Sequence, residues 1–195
     1  MSAARGAISR SRLLRHGGSR LRLEPGASVT AWTGPERDLP PLIDPLTCGS
    51  GLSFVGATPD RCWRGDPART RLLSPCGMVE VCDRLLTAAE PVGRALPGVA
   101  LVRAVRCLDG PLDLTHQLSL ASGAGTEMRW WSLNRFVFGY FVDRKVTVDG
   151  GEVSVQQAQV SSRLQADLGR WSVMTVAFDG HLPADAAAVA AVLGE

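Results

Sequence analysis

The strongest constraint on the fold is a strict alternation of apolar and polar residues near the middle of the chain. The apolar series is Leu112, Leu114, His116, Leu118 and Leu120, with a polar residue at each position between them. Because a β-strand directs successive side chains to opposite faces, this pattern predicts a strand with a leucine face toward a core. His116 falls on that face, so we expect a core histidine whose ring is hydrogen-bonded.

Turn residues between apolar segments predict three β-hairpins. The first joins 69–73 to 78–85 through a Ser-Pro-Cys-Gly turn, and the second joins 101–108 to the leucine strand through Asp109-Gly110. The third places Asp149-Gly150-Gly151 between two valine-rich segments. Asp-Gly favours the positive φ angles of a tight hairpin turn. Two further strands are predicted over 136–142 and 171–178.

Strand signals without intervening helices indicate an antiparallel β-sandwich. One helix is expected at the end of the chain, where Pro183 can start it, Asp185 lies in its first turn and an alanine-rich run follows. We therefore predict an all-β, supersandwich-like fold. Its parts are a disordered arginine-rich arm over 1–26, a loop-rich segment with short strands over 27–68, the sandwich over 69–182 and a C-terminal helix or linker over 183–195.

The charge distribution along the chain limits the kinds of molecule that we expect it to bind. Residues 1–23 carry six arginines and no acidic residue, although the net charge of the 195-residue chain is only +2. A basic arm can contact nucleic acid or anionic lipid, but this one has no aromatic residue for base stacking, and termini are usually disordered. The chain has no secretory h-region and no apolar run near the roughly 18 residues of a membrane span. We expect a cytoplasmic protein without a nucleic-acid or membrane partner.

The cysteines and histidines show no metal-binding pattern. The cysteines, Cys48, Cys62, Cys76, Cys82 and Cys107, include no Cys-x-x-Cys pair, and no histidine lies at a metal-like interval from them. This pattern favours buried thiols in a reducing compartment over a zinc site. We predict neither a metal ion nor a cofactor.

Several motifs follow one another in an order that is known from a family of enzymes. They read CWRG at 62–65, TRLL at 70–73, GMVEVCD at 77–83, LVRAVRCLDGPLDL at 101–114 and GRWSV at 169–173. This order resembles the N-terminal β-sandwich domain of glycoside hydrolase family 15, which includes glucoamylase-like and trehalase-like enzymes. The resemblance extends over about residues 60–195.

The resemblance implies a role in carbohydrate metabolism without catalysis by this chain. In the family, the catalytic glutamates lie in an (α/α)6 barrel that follows the sandwich. We therefore expect a non-catalytic domain, either truncated or one half of a split enzyme, that works with a separate barrel. A glucan or trehalose is the expected ligand.

The carboxylates and histidines of the chain do not by themselves predict an active site. Glycoside hydrolysis needs two carboxyl groups that face each other. Glu80, Glu127 and Asp143 are available, but no pattern pairs them, so we expect solvated charges. His116 has no matching nucleophile, and His181 follows Asp-Gly in what reads as a turn.

Trp130 and Trp131 are the candidate substrate-binding residues. Adjacent residues of a strand face opposite sides, so one tryptophan can lie in the core while the other is exposed. An exposed tryptophan can stack on a sugar ring. The alternative is that both are packed, one of them beneath a partner domain.

Three hypotheses about function therefore remain open. The first is the non-catalytic domain of a family 15 enzyme, and the second is a stand-alone carbohydrate-binding or protein-interaction module. The third is an unrelated small enzyme that uses Glu127 or His116.

Overall fold

In the part of the chain that the structure describes, the protein is a sandwich of two antiparallel β-sheets with one short helix. The computed structural model describes residues 11–34, 41, 43, 51–60, 69–87, 98–120, 129–141, 143–156 and 159–194. The strands are β1 (Arg12–His16), β2 (Ser19–Leu23), β3 (Val29–Thr33), β4 (Gly51–Phe54), β5 (Thr58–Pro59), β6 (Arg69–Ser74), β7 (Gly77–Thr87), β8 (Val99–Cys107), β9 (Leu112–Ser119), β10 (Trp130–Leu133), β11 (Phe136–Phe141), β12 (Arg144–Asp149), β13 (Glu152–Gln156), β14 (Gln159–Ala166) and β15 (Ser172–Phe178). The helix α1 spans Ala186–Leu193. The predicted all-β sandwich is confirmed.

Each sheet combines strands that are distant in the chain. The seven-stranded sheet has the order β1-β2-β3-β4-β9-β14-β13, and the eight-stranded sheet has the order β10-β11-β12-β15-β8-β7-β6-β5. The main core lies between the sheets and contains the leucine face of β9, including Leu114 and Leu118. Trp32 and Phe178 meet edge to face in this core, with their ring centroids 5.0 Å apart.

The outer face of the eight-stranded sheet carries a second, smaller core. Residues of β7, β8 and β15, among them Leu86 and Val102, pack there against Ala188 and Val192 of α1. The helix begins later than the position of Pro183 predicts. Asp185 is its N-cap, outside the first turn, and its carboxylate accepts hydrogen bonds from the amides of Ala187 and Ala188. No helix in the described ranges has the length and apolar character required to cross a membrane.

The first predicted hairpin is confirmed, but the other two are wrong. β6 and β7 pair around their turn. In contrast, Asp109-Gly110 connects β8 of one sheet to β9 of the other, and Asp149-Gly150-Gly151 connects β12 to β13 in the same way. Both glycine-containing turns are therefore corners between the sheets. Both motifs do form turns, as predicted. A turn reverses the chain direction only locally, however, and does not decide which strands pair with each other.

The predicted N-terminal arm contains a β-hairpin. β1 and β2 pair around Gly17-Gly18, and both of these glycines have positive φ. Leu21 and Leu23 are fully buried, whereas Arg20 and Arg22, which alternate with them, are exposed. The prediction of disorder was wrong for this segment, because the apolar side chains alternate with arginines that point to solvent. Residues 1–10 lie outside the described part of the chain.

The sandwich also extends beyond its predicted limits of 69–182. The segment before residue 69 supplies β1 to β4, which are four of the seven strands in one sheet. Trp32 and Leu52 of that segment lie in the main core. The short strands predicted within 27–68 are present as β3, β4 and β5, but they belong to the sandwich itself.

Candidate functional site

Trp130 and Trp131 lie on β10, the end strand of the eight-stranded sheet. Trp131 is opposite Phe138 of β11, and Trp130 is opposite Gly139. Trp130 is half-buried and packs against the main core, whereas Trp131 is 45% exposed on the outer face. The prediction that the two residues face opposite sides is confirmed. The exposure of Trp131 in this chain fits both a contact with a sugar and a position beneath a partner domain.

Trp131 belongs to a set of four aromatic side chains, here called the aromatic row. Its members are Trp131, Phe136, Phe138 and Tyr140. The ring of Trp131 stacks on Phe138 at 5.6 Å between centroids and meets Tyr140 edge to face at 6.0 Å. Phe136 and Phe138 are 6.4 Å apart. The three residues of β11 share one face because they occupy every second position of the strand.

The aromatic row is accessible and has a cation beside it. Tyr140 is 51% exposed, and Leu133 on the neighbouring strand is 50% exposed. The Nζ of Lys145 lies 5.2 Å from the ring centroid of Phe138, within the range of a cation–π contact. This part of the outer face therefore presents flat apolar rings to solvent.

A polar cleft lies at the end of the same strands and is here called the corner cleft. Its volume is about 500 Å³. Its lining includes Asn134, Arg135, Phe136, Asp149, Glu152 and Ala184. Asn134 and Arg135 form the two-residue turn between β10 and β11, and Asn134 has a φ of 53°, which asparagine tolerates better than most residues.

Two residues that line the corner cleft, Asp149 and Phe136, are both in contact with His181. The Nε2 of His181 lies 2.8 Å from Oδ2 of Asp149. The imidazole of His181 also stacks on Phe136, with 4.1 Å between the ring centroids. Phe136 therefore belongs both to the aromatic row and to the cleft, and His181 is held by two contacts instead of being a simple turn residue.

Gly150 and Gly151 make this corner possible. A Cβ atom on Gly150 would overlap the carbonyl oxygen of Val173, and one on Gly151 would overlap that of Arg163. Both glycines also have positive φ, at 112° and 71°. The chain can change sheets here only because these residues have no side chain.

Glu80 is not the solvated charge that its alternation predicts. It lies on the outer face of β7 and is only 3% exposed. Arg69 and Arg106 both donate to its carboxylate, at 2.7 and 2.8 Å, and the guanidinium of Arg106 lies 4.6 Å from the ring centroid of Trp171. Burial alone would raise the pKa of Glu80, but the hydrogen bonds and charges of the two arginines lower it below its ordinary value.

The other predicted catalytic candidates are not assembled into a site. Asp143 is exposed in the turn between β11 and β12 with a φ of 64°. Glu127 lies outside the described residues. His116 is fully buried between the sheets, as its place on the leucine face predicts.

His116 is part of a buried charged cluster that the sequence analysis missed. Arg103 donates from Nε to Oδ1 of Asp83 at 2.6 Å and approaches Nε2 of His116 at 3.1 Å. Because arginine only donates, the imidazole nitrogen accepts, and the ring carries its proton on Nδ1. Burial, and then the positive charge of Arg103, lower the pKa of His116 well below its ordinary value. Phe54 covers the cluster, with its ring 3.8 Å from that of His116.

The described residues contain no cluster of three or more histidine, cysteine or acidic side chains suited to a metal ion. Cys76, Cys82 and Cys107 carry thiols and not disulfides. Burial raises the pKa of the Cys107 thiol above its ordinary value.

Comparisons with known proteins leave the family open. No family model matches the sequence, and no curated protein matches it. Among solved structures, the chain is similar to one named "Putative kojibiose phosphorylase from human microbiome", with a TM-score of 0.37 and 7% sequence identity. That similarity covers 90% of this chain and 21% of the other, so this chain spans about a fifth of the length of its structural neighbour.

Proposed function

We propose that this chain is a non-catalytic, carbohydrate-binding β-sandwich domain, of the kind that precedes the catalytic barrel in glycoside hydrolase family 15. In this proposal a separate (α/α)6 barrel supplies the chemistry. The observation that carries the proposal is the solvent-exposed aromatic row on the outer face of the sandwich. Its sugar contact would be made by Trp131, while Trp130 supports that strand from the core side.

The chemistry of the rings suits a sugar ligand. One face of a pyranose ring presents mainly C–H groups, which pack on a flat aromatic surface, while its hydroxyls remain free for polar partners. The rings of Trp131 and Phe138 are nearly parallel, with 20° between them, and stack on each other. Trp131 is 45% exposed, so its indole is the ring of this pair that is available to a sugar. The resemblance of residues 60–195 to the family supports the same class of ligand.

The state of the buried carboxylates supports a non-catalytic role. A glycosidase needs one carboxylic acid that holds a proton and a second carboxylate across the bond. Glu80 is stabilised as an anion by Arg69 and Arg106, and Asp83 is ion-paired with Arg103. The pKa of Glu80 is lowered, so Glu80 is not suited to donate a proton near neutral pH.

The proposal is tested by calorimetric titration of the purified chain with maltoheptaose and with trehalose. We expect binding of at least one sugar, loss of binding in Trp131→Ala and recovery in Trp131→Phe. Leu73→Ala is the matched control, because Leu73 is an exposed apolar residue near the other edge of the same sheet. Absence of binding to both sugars, or equal losses in Trp131→Ala and Leu73→Ala, would contradict a carbohydrate-binding row.

Catalysis by the chain alone is a separate outcome. The same preparation, incubated with maltoheptaose or trehalose, is expected to release no glucose. Glucose release that persists in chain purified to homogeneity would overturn the non-catalytic role and favour the hypothesis of a small enzyme.

A stand-alone module is the second candidate, and the exposure of Leu133 beside the aromatic row favours its protein-interaction form. An apolar side chain that stacks on no ring is more typical of a protein contact than of a sugar platform. If Leu133→Ala leaves maltoheptaose binding unchanged, Leu133 is not part of the sugar site and this second candidate gains support.

A further inference from the structure

The corner cleft lies where three connecting segments of the fold meet. Its walls come from the turn between β10 and β11, from the corner between β12 and β13, and from Ala184 before α1. Its volume of about 500 Å³ lies within the usual range of small-molecule sites. The absence of side chains at Gly150 and Gly151 keeps the corner close to the neighbouring strands while the cleft stays open.

Three polar side chains of the cleft have unused hydrogen-bonding capacity. Within the described ranges, Asn134, Arg135 and Glu152 make no side-chain hydrogen bond and no ion pair, although all three line the cleft. Glu152 is opposite Arg163 across β13 and β14, but that guanidinium is hydrogen-bonded to Asp113. The cleft therefore offers donors and acceptors together.

The charges of the cleft select among classes of ligand. Arg135 is cationic, whereas Asp149 and Glu152 are anionic, and His181 is engaged with Asp149. Among the described residues that line the cleft, Arg135 is the one cationic side chain, so they form no cluster of positive charge that would favour a phosphate or carboxylate ligand. A neutral polyol can form hydrogen bonds with all of these polar side chains, because its hydroxyls donate to the carboxylates and accept from Arg135 and Asn134.

Phe136 connects the cleft to the aromatic row. It lines the cleft and lies 6.4 Å from Phe138 between ring centroids. Side chains on one face of β11 recur about every 6.8 Å, so the rings continue from the cleft along the strand. We infer that the corner cleft binds the end of a neutral oligosaccharide whose remaining rings lie along the aromatic row. This inference rests on the proposed carbohydrate-binding function and adds to it a second, polar subsite.

The test uses calorimetric titration with maltose and with maltoheptaose. We expect Glu152→Gln and Arg135→Ala each to weaken the binding of both sugars about tenfold or more, because each removes a charged hydrogen-bonding partner. Trp131→Ala is expected to weaken maltoheptaose more than maltose. Asp143→Asn is the matched control: it neutralises an exposed carboxylate at the other end of β12, at a positive φ that asparagine accepts.

The outcomes separate the two proposals. If maltoheptaose binds and Trp131→Ala weakens it, while Glu152→Gln and Arg135→Ala bind both sugars like the unchanged chain, the cleft subsite is overturned and the aromatic row stands. If neither sugar binds the unchanged chain, the carbohydrate-binding function itself fails. Because the three substituted side chains are exposed, unchanged melting temperatures are expected and would exclude misfolding as the cause.

Discussion

Arg103 and Asp83 are directly opposite each other on β8 and β7, and their side chains form a two-point ion pair inside the sandwich. Nε of Arg103 lies 2.6 Å from Oδ1, and Nη2 lies 3.2 Å from Oδ2. Nη2 also donates to the carbonyl oxygen of Ala27, which ties the eight-stranded sheet to the turn before β3. A charge at this depth is tolerated because each of the three guanidinium nitrogens of Arg103 has at least one acceptor.

Removal of one member of this pair is expected to destabilise the protein strongly. Arg103→Met leaves Asp83 buried without its cation, which typically costs about 3–5 kcal/mol of unfolding free energy. The double substitution Arg103→Met with Asp83→Leu is expected to recover much of that loss. Urea unfolding measures both values. Arg163→Met, which breaks the exposed pair with Asp113, is the control and should change little. A double variant as unstable as Arg103→Met would contradict this explanation.

His116 is expected to make stability fall as the solution is acidified. Its pKa is lowered well below 6.5 in the folded protein, so below pH 6.5 the unfolded chain binds a proton that the folded chain does not. The stabilisation is therefore fully present above pH 6.5 and is lost as the pH falls. Between pH 7.5 and 5.5 the unfolding free energy should decrease by about 1.4 kcal/mol from this group.

The control for this pH dependence is His116→Gln, which keeps an acceptor oxygen for Arg103 but does not titrate. We measure the unfolding free energy of both proteins by urea unfolding at pH 7.5 and 5.5. The decrease between these pH values should be about 1.4 kcal/mol smaller in His116→Gln than in the unchanged chain. An unchanged decrease would assign the acid sensitivity to other groups. Glu80 does not interfere, because its pKa is lowered from 4.5 and lies below this window.

Glu80→Gln is expected to lower stability at neutral pH by about 2 kcal/mol, because the two charged hydrogen bonds from Arg69 and Arg106 are weakened. Since the pKa of Glu80 is lowered in the folded state, its contribution exists above pH 4.5 and disappears as the pH falls through the folded pKa. The difference between the unchanged chain and the variant should therefore shrink at pH 3. Chemical unfolding at pH 7 and pH 3 tests this, and a constant difference would contradict it.

The two corners between the sheets should respond differently to alanine. Gly110 has positive φ but open space around it, so Gly110→Ala should cost only the backbone strain of about 1–2 kcal/mol. Gly151→Ala adds an overlap with the carbonyl oxygen of Arg163, so we expect a loss of about 3 kcal/mol or more. Thermal unfolding compares the two variants, and equal losses would show that the corner at Gly151 relaxes freely.

Alternation and turn residues predicted eight of the fifteen described strands, namely β6 to β9, β11 to β13 and β15, but only one correct pairing, that of β6 with β7. Alternation predicted β9 and its core face, and the turn at residues 74–77 predicted the hairpin of β6 and β7. Gly17-Gly18 is also a hairpin turn, and leucines alternate with arginines in the strand that follows it. The high arginine content of this segment concealed that hairpin signal. At the candidate site, Trp130 and Trp131 are adjacent in the sequence, and this was sufficient to predict that their side chains lie on opposite faces of the strand.

The local pattern of residues along the chain was therefore enough to establish strand conformation, the inward face of β9 and the burial of His116, because a period of two is a property of the strand itself. Only the three-dimensional arrangement revealed that Asp109-Gly110 changes sheets, that Arg103 and Asp83 meet His116, and that Phe136 joins the aromatic row to the cleft. These relationships depend on pairing between distant strands such as β9 and β14. A turn motif sets the backbone of a few residues, whereas the choice of partner strand follows from burial over the whole sandwich.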